Sequence, residues 1–147
     1  MSITMQTPNT ISLGGDGVLV NDLPASAAIT PGQLIERHYS SGMKWRKHAT
    51  AGGGGQKAFA LQPSMLNKTI TDDYASGDLV EAMIGYPGAT FYALIASGQN
   101  ITGGALLESA GNGTLRVFAS GVQIAIALES VNNSAGPADA RIRVEAL

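Results

Sequence analysis

The sequence predicts an all-β protein, a sandwich or barrel of short strands, and three observations lead there. Apolar runs of strand length alternate with Gly, Pro, Asn and Ser punctuation along most of the chain. One pattern, Gly-x-Leu-aliphatic-Glu, occurs as Gly32-Gln33-Leu34-Ile35-Glu36, Gly77-Asp78-Leu79-Val80-Glu81 and Gly104-Ala105-Leu106-Leu107-Glu108. Glycine reaches positive φ without a Cβ clash, so Gly32, Gly77 and Gly104 read as turn glycines that each launch a buried strand. The copies are unequally spaced, which indicates one fold reusing a corner and not a solenoid of regular repeats. Finally, Val122, Ile124, Ile126 and Leu128 recur at period two, the period of a strand with one buried face.

Taken in order, residues 1–23 carry scattered apolar residues, Ile3, Met5, Ile11 and Leu13, interrupted by Thr7-Pro8-Asn9-Thr10 and Gly14-Gly15-Asp16-Gly17. The segment reads as an extended N-terminal arm able to add a strand to a partner's sheet, with Ile3, Met5, Ile11 and Leu13 as its contact residues. An ordinary edge strand or a frayed terminus is the other reading. From residue 24 to 147 the chain reads as one barrel-sized domain. Gln33 to Tyr39 and Met43 to His48 form a hairpin about Ser40-Ser41-Gly42. Gly52-Gly53-Gly54-Gly55 reads as a flexible loop, because the Gly-Lys-Ser/Thr of a phosphate cradle is missing.

Ser64 is placed to cap a helical turn running to Lys68. Further strands are predicted from Asp78 to Met83, Thr90 to Ile95, Ala105 to Ser109 and Thr114 to Phe118. In the closing strand, Ile142 and Val144 point inward while Arg141, Arg143 and Glu145 point outward. A helix from Ile124 to Val131 competes with the strand reading there. The pairs Leu34-Ile35, Leu79-Val80 and Leu106-Leu107 predict corner strands covered on both faces.

Composition narrows the function classes. The 147 residues include no cysteine, which removes a disulfide framework, a thiol nucleophile and a cysteine-held zinc. Charged residues make up 14% against a usual value of about 25%, and 19 are glycine. A subunit covered by its neighbours has such a surface, as does a Gly/Ala-rich monomer. A net charge of −2 gives no drive toward nucleic acid or anionic membrane. No window approaches the roughly 20 apolar residues of a membrane span, and the first residues lack the features of a signal peptide, so synthesis in the cytosol is expected.

Reaction chemistry is sparse. His38 and His48 are the two histidines, and the hairpin offers to bring them together, but no His-x-His or Glu-x-x-His spacing supports a metal site. Asp72, Asp73, Asp78 and Glu81 lack calcium-loop spacing and read as a turn rim. Lys44-Trp45-Arg46-Lys47 reads as an exposed strand whose tryptophan anchors one face, with phosphate contact or an acidic partner as the alternatives. No catalytic, cofactor or metal residues emerge, and the chain is expected to be neither an enzyme nor a cofactor binder.

From about Arg46 onward, several stretches occur in a familiar order: Arg46-Lys47-His48-Ala49-Thr50-Ala51-Gly52-Gly53, Lys57-Ala58-Phe59-Ala60-Leu61, Tyr74-Ala75-Ser76-Gly77-Asp78-Leu79-Val80 and Ala93-Leu94-Ile95-Ala96-Ser97-Gly98-Gln99-Asn100-Ile101. Ala105 to Ser109, Gly113-Thr114-Leu115, Ala127 to Val131 and Ala140 to Val144 continue the series. Together they cover roughly two thirds of the chain and resemble the head decoration, or cement, proteins of tailed bacteriophages. The resemblance implies a small Gly-rich β-barrel or β-tulip-like domain, commonly a homotrimer. It implies a place on the outer surface of the virion, at three-fold and quasi-three-fold positions, with the major capsid protein as partner and host cytoplasm as the site of synthesis. It supplies no catalytic residues. A β-clip accessory domain also uses corners such as Pro31-Gly32-Gln33-Leu34, and a carbohydrate-binding β-module is the other alternative, although one Trp, four Tyr and three Phe give it little platform.

Overall fold

Period-two side-chain patterns separated by glycine corners give thirteen short strands and no α-helix among the described residues, 7–147 of the computed structural model. In chain order these are Ser12–Gly14 (β1), Gly17–Val20 (β2), Leu34–Tyr39 (β3), Met43–Lys47 (β4), Ala58–Ala60 (β5), Ala82–Gly85 (β6) and Thr90–Ile95 (β7). Asn100–Ile101 (β8), Leu106–Ser109 (β9), Leu115–Val117 (β10), Ala125–Ala127 (β11), Val131–Asn132 (β12) and Ala140–Ala146 (β13) complete the set.

The corner predicted three times is a type II turn each time. Gly32, Gly77 and Gly104 hold φ of 93°, 91° and 89°. The following residue donates its N–H back across each turn, Gln33 to Thr30, Asp78 to Ala75 and Ala105 to Thr102, at 3.0 to 3.1 Å. Tyr86-Pro87-Gly88-Ala89 repeats the device, with Gly88 at φ 96°.

β13 decides the architecture. It pairs antiparallel with β7 from Ala140 opposite Ile95 to Glu145 opposite Thr90, while its other edge pairs with β11. The order β7-β10-β9-β11-β13 therefore returns to β7 and closes a five-stranded barrel. Closure requires β7 to share its second edge. β10 meets it in parallel at Ile95, and β1 joins antiparallel at Thr90 and Phe91. A second sheet, β2-β6-β5-β3-β4, is antiparallel throughout, and β8 with β12 makes a small ribbon.

Two cores follow from the registers. Inside the barrel, large residues mostly face small ones: Val144 lies opposite Ala127 on one side, although Phe91 flanks it on the other, Ile142 lies opposite Ala93, and Leu107 opposite Ala125. Interdigitating sizes is how a narrow barrel fills without voids. One row of the second sheet, Leu34, Phe59 and Met83, turns toward this core, where the Phe59 and Phe91 rings stack at 4.6 Å. The alternate row, Ile35, Ala58 and Ile84, belongs to a second core around Trp45, Tyr74, Ile29 and Val80.

Several expectations are corrected. The described part of the predicted arm is not separate from the domain. β1 joins the barrel sheet, β2 joins the second sheet, and the Leu23 carbonyl accepts the Val80 N–H at 3.0 Å across the expected boundary at 23–24. Ile11 is fully buried in this chain's own core, so it is no contact residue for a partner. Its apolar neighbours are few in sequence because existing sheets supply the rest. Ile3 and Met5 lie outside the described residues.

The predicted face of 122–128 is realised only in part: Ile124 is buried in the barrel core as expected and Ile126 is half-buried, but the ends of the row are not inside. Ala125 and Ala127 point into the barrel, whereas Val122 and Leu128 are each 48% exposed. Within the short strand β11 the register sets Ala125 opposite Leu107 and Ala127 opposite Val144, so small side chains fill the positions beside large ones. The expected strand from Asp78 starts only at Ala82, and Leu79 is exposed while Val80 is buried. Of the three Leu-aliphatic pairs, only Leu34-Ile35 is buried on both faces, since Leu106 is half-buried. Ser64 opens a 3-10 turn, Ser64–Leu66, and does not cap it, because Pro63 occupies the cap position and the Ser64 hydroxyl donates to Glu81 Oε1 at 2.7 Å.

Candidate functional site

The residues with reaction chemistry converge on an internal seam between the barrel and the second sheet. His48 follows β4 and donates its N–H to the Leu34 carbonyl at 2.9 Å, which turns its ring inward. Its Nδ1 lies 2.8 Å from Ser109 Oγ at the end of β9, and its Nε2 lies 3.1 Å from the Gly54 carbonyl and 3.8 Å from Glu36 Oε2. A serine, a histidine and a carboxylate in this order carry the elements of a nucleophile and its base. The surroundings give them another role. Ser109 and His48 are 0% and 1% exposed, and Ser109 Oγ also accepts the Gly111 N–H at 3.1 Å. With Nε2 donating to the Gly54 carbonyl and Nδ1 accepting the Ser109 hydroxyl proton, each of these groups has a partner. The pair thus pins two glycine loops together across 61 residues of sequence.

Glu108 does the same one residue earlier. Its carboxylate accepts the Ala119 N–H, lies 3.6 Å from the Arg116 guanidinium, and is held below the usual carboxylate range chiefly by that backbone donor. Gly52 and Gly121 lie against it so closely that a Cβ on either would meet Oε2. The Gly52 N–H donates to the Ser109 carbonyl and the Gly52 carbonyl accepts from Val122, at 2.8 and 2.9 Å. The loop expected to be flexible is therefore anchored at Gly52 by both its backbone groups and at Gly54 through the carbonyl that His48 meets.

The other sequence candidates are dispersed. His38 pairs with Lys44 in the hairpin and is not brought to His48. Asp72 and Asp78 each accept the N–H three residues back, from Thr69 and Ala75, and so rim turns as expected, whereas Glu81 accepts the Met65 N–H from 16 residues away. Among the described residues no three His, Asp or Glu side chains gather in a metal-binding group. Trp45 is fully buried and anchors one face of β4, with the Arg37 guanidinium 5.1 Å over its ring and Arg46 paired to Glu36 at 2.9 Å. Of the arm residues, Leu13 lines a cavity of about 460 Å³ with Thr10, Thr90, Leu128 and Arg143, apart from the buried Ile11. The seam itself escaped the sequence reading. Its only signal was a polar pair, Glu108-Ser109, ending an apolar strand beside Gly111.

The exterior is the contrasting surface. Leu19, Tyr39, Leu79 and Tyr86 are all more than half exposed. Tyr39 and Met43 face each other at the tip of the β3/β4 hairpin, and Val18 with Leu19 occupies an outer edge of the second sheet. Compared with models of known protein families and with curated protein sequences, the chain matches none.

Proposed function

We propose that the protein is a structural decoration, or cement, subunit that binds the outside of an icosahedral phage head, as a homotrimer that ties together the major capsid protein lattice. The observation that carries this reading is the exterior: a chain with 14% charged residues presents exposed large aliphatic and aromatic side chains, chiefly on the second sheet and its turns. Apolar exposure in a charge-poor surface suits permanent contact with neighbours. The buried His48, Ser109 and Glu108, each pinning a loop, support a rigid body over a reaction site. The order of motifs shared with head decoration proteins supports the same conclusion. Contact through this outer surface replaces contact through Ile11.

The test is titration of the purified protein onto emptied, undecorated heads of tailed phages, followed by imaging. Saturable binding at three-fold and quasi-three-fold positions is expected, together with heads that resist heat better. Sedimentation at micromolar protein should give three times the 15.1 kDa chain mass. Absence of binding to any head, with a monomer in solution, overturns the proposal.

A further inference from the structure

The second sheet treats its two edges differently. The outer edge of β4 is covered: Trp45 donates to the Pro24 carbonyl and accepts from Ser26, both at 2.9 Å. The outer edge of β2 meets no strand among the described residues. The register fixes which groups it offers. Tyr86 donates to the Asp16 carbonyl, so Asp16, Val18 and Val20 direct their backbone groups to β6, while Gly17 and Leu19 direct theirs outward. The side chains are equally incomplete. Leu19 ends the cross-strand row Leu34, Phe59, Met83, and Val18 ends the row Ile35, Ala58, Ile84. These two row ends are 53% and 42% exposed. Exposed Asp16 and Asp22 flank the strand, and neither carboxylate meets a cation among the described residues.

We infer that the free edge of β2 is a docking site for an extended segment of a partner protein, aliphatic at its centre and basic at its ends, added as a sixth strand. A second copy of this chain fits poorly. A two-fold axis through an antiparallel pair of β2 strands must centre on a residue. Centred on Leu19 it brings Asp16 of each copy toward Asp22 of the other, and centred on Val18 it sets Asp16 against Val20. Like charges or a carboxylate against valine oppose both registers. A strand with lysine or arginine at each end meets the two aspartates, extends both apolar rows, and accepts from and donates to Gly17 and Leu19. The inference stands apart from the capsid reading, because any partner segment of this chemistry would serve.

The probe is a capped peptide, Lys-Thr-Val-Ile-Val-Thr-Lys, titrated into the full chain with amide signals followed by nuclear magnetic resonance, beside an analogue with glutamate at both ends. The lysine peptide should shift and slow the exchange of the Gly17 and Leu19 amides and bind roughly three- to tenfold tighter than its analogue, the equivalent of two exposed ion pairs. High salt should erase that preference, and the double variant Asp16→Lys, Asp22→Lys should reverse it. Leu19→Pro, which removes an outward N–H and no ladder bond to β6, should abolish binding by either peptide. Shifts that map elsewhere, equal binding of the two peptides, no binding at millimolar peptide, or a self-paired β2 edge in the free protein would each overturn the inference.

Discussion

Gly32, Gly77 and Gly104 share a turn conformation but not surroundings, and their substitutions should separate accordingly. A Cβ on Gly77 or Gly104 enters open space, whereas one on Gly32 lies 2.8 Å from the Tyr92 carbonyl oxygen. Alanine at Gly77 or Gly104 should cost about 1–2 kcal/mol, the strain of an L-residue at positive φ, and alanine at Gly32 distinctly more. Urea unfolding of the three variants measures the difference. A second residue-level prediction concerns acid. The lowered folded pKa of Glu108 means that its contribution is present above the ordinary carboxylate range and lost as pH falls through the folded value. Asp72, lowered by the Thr69 N–H and hydroxyl, acts with the same sign. Glu108→Gln should therefore flatten the loss of stability below about pH 4.5 while lowering stability at neutral pH, as followed by thermal melts across pH. Of these residues the turn glycines were legible in the sequence, since glycine before an apolar run has a local cause. The role of Glu108 was not, because Ala119 and Gly52 reach it only through folding.

At the scale of elements, the strands that sequence located well are those whose own inward rows carry large residues. β7 runs from Thr90 to Ile95 as predicted, and β13 buries Ile142 and Val144 and leaves its charged side chains outside the barrel. β11 shows the limit of period-two reasoning. Alternation identifies two faces, and hydrophobic size nominates the larger as the buried one, yet Ala125 and Ala127 take the inward positions opposite Leu107 and Val144, and of the large row only Ile124 is fully buried. Ala125→Leu should overpack the barrel and cost about 1–3 kcal/mol, while Val122→Ser and Leu128→Ser should stay within about 0.5 kcal/mol. Chemical denaturation distinguishes this order from its reverse, which an inward Val122 and Leu128 would produce. The N-terminal segment failed for a related reason. Scarce apolar residues suggested an arm, but β1 and β2 need few of their own when β7 and β6 already provide a surface.

For the whole molecule, the all-β class was legible because it follows from local punctuation, whereas closure was not, because it rests on pairing β13 with β7, residues that no local pattern links. The internal seam was hidden for the same reason, with His48 and Ser109 separated by 61 residues. That closure has a consequence for how the protein is made. Phe91 is flanked by Ser12 on one side and Val144 on the other, so the middle strand of the polypeptide waits for segments from both extremes. A ribosome releasing the chain from its N-terminus delivers β7 long before β13, and until β13 arrives Phe91, Ala93 and Ile95 face an unfinished ring. Such distant pairing slows folding and leaves an adhesive strand edge open in the interval. The ring cannot close before Ala140–Ala146 has been made, so the last strand of the chain is also the one that seals the barrel.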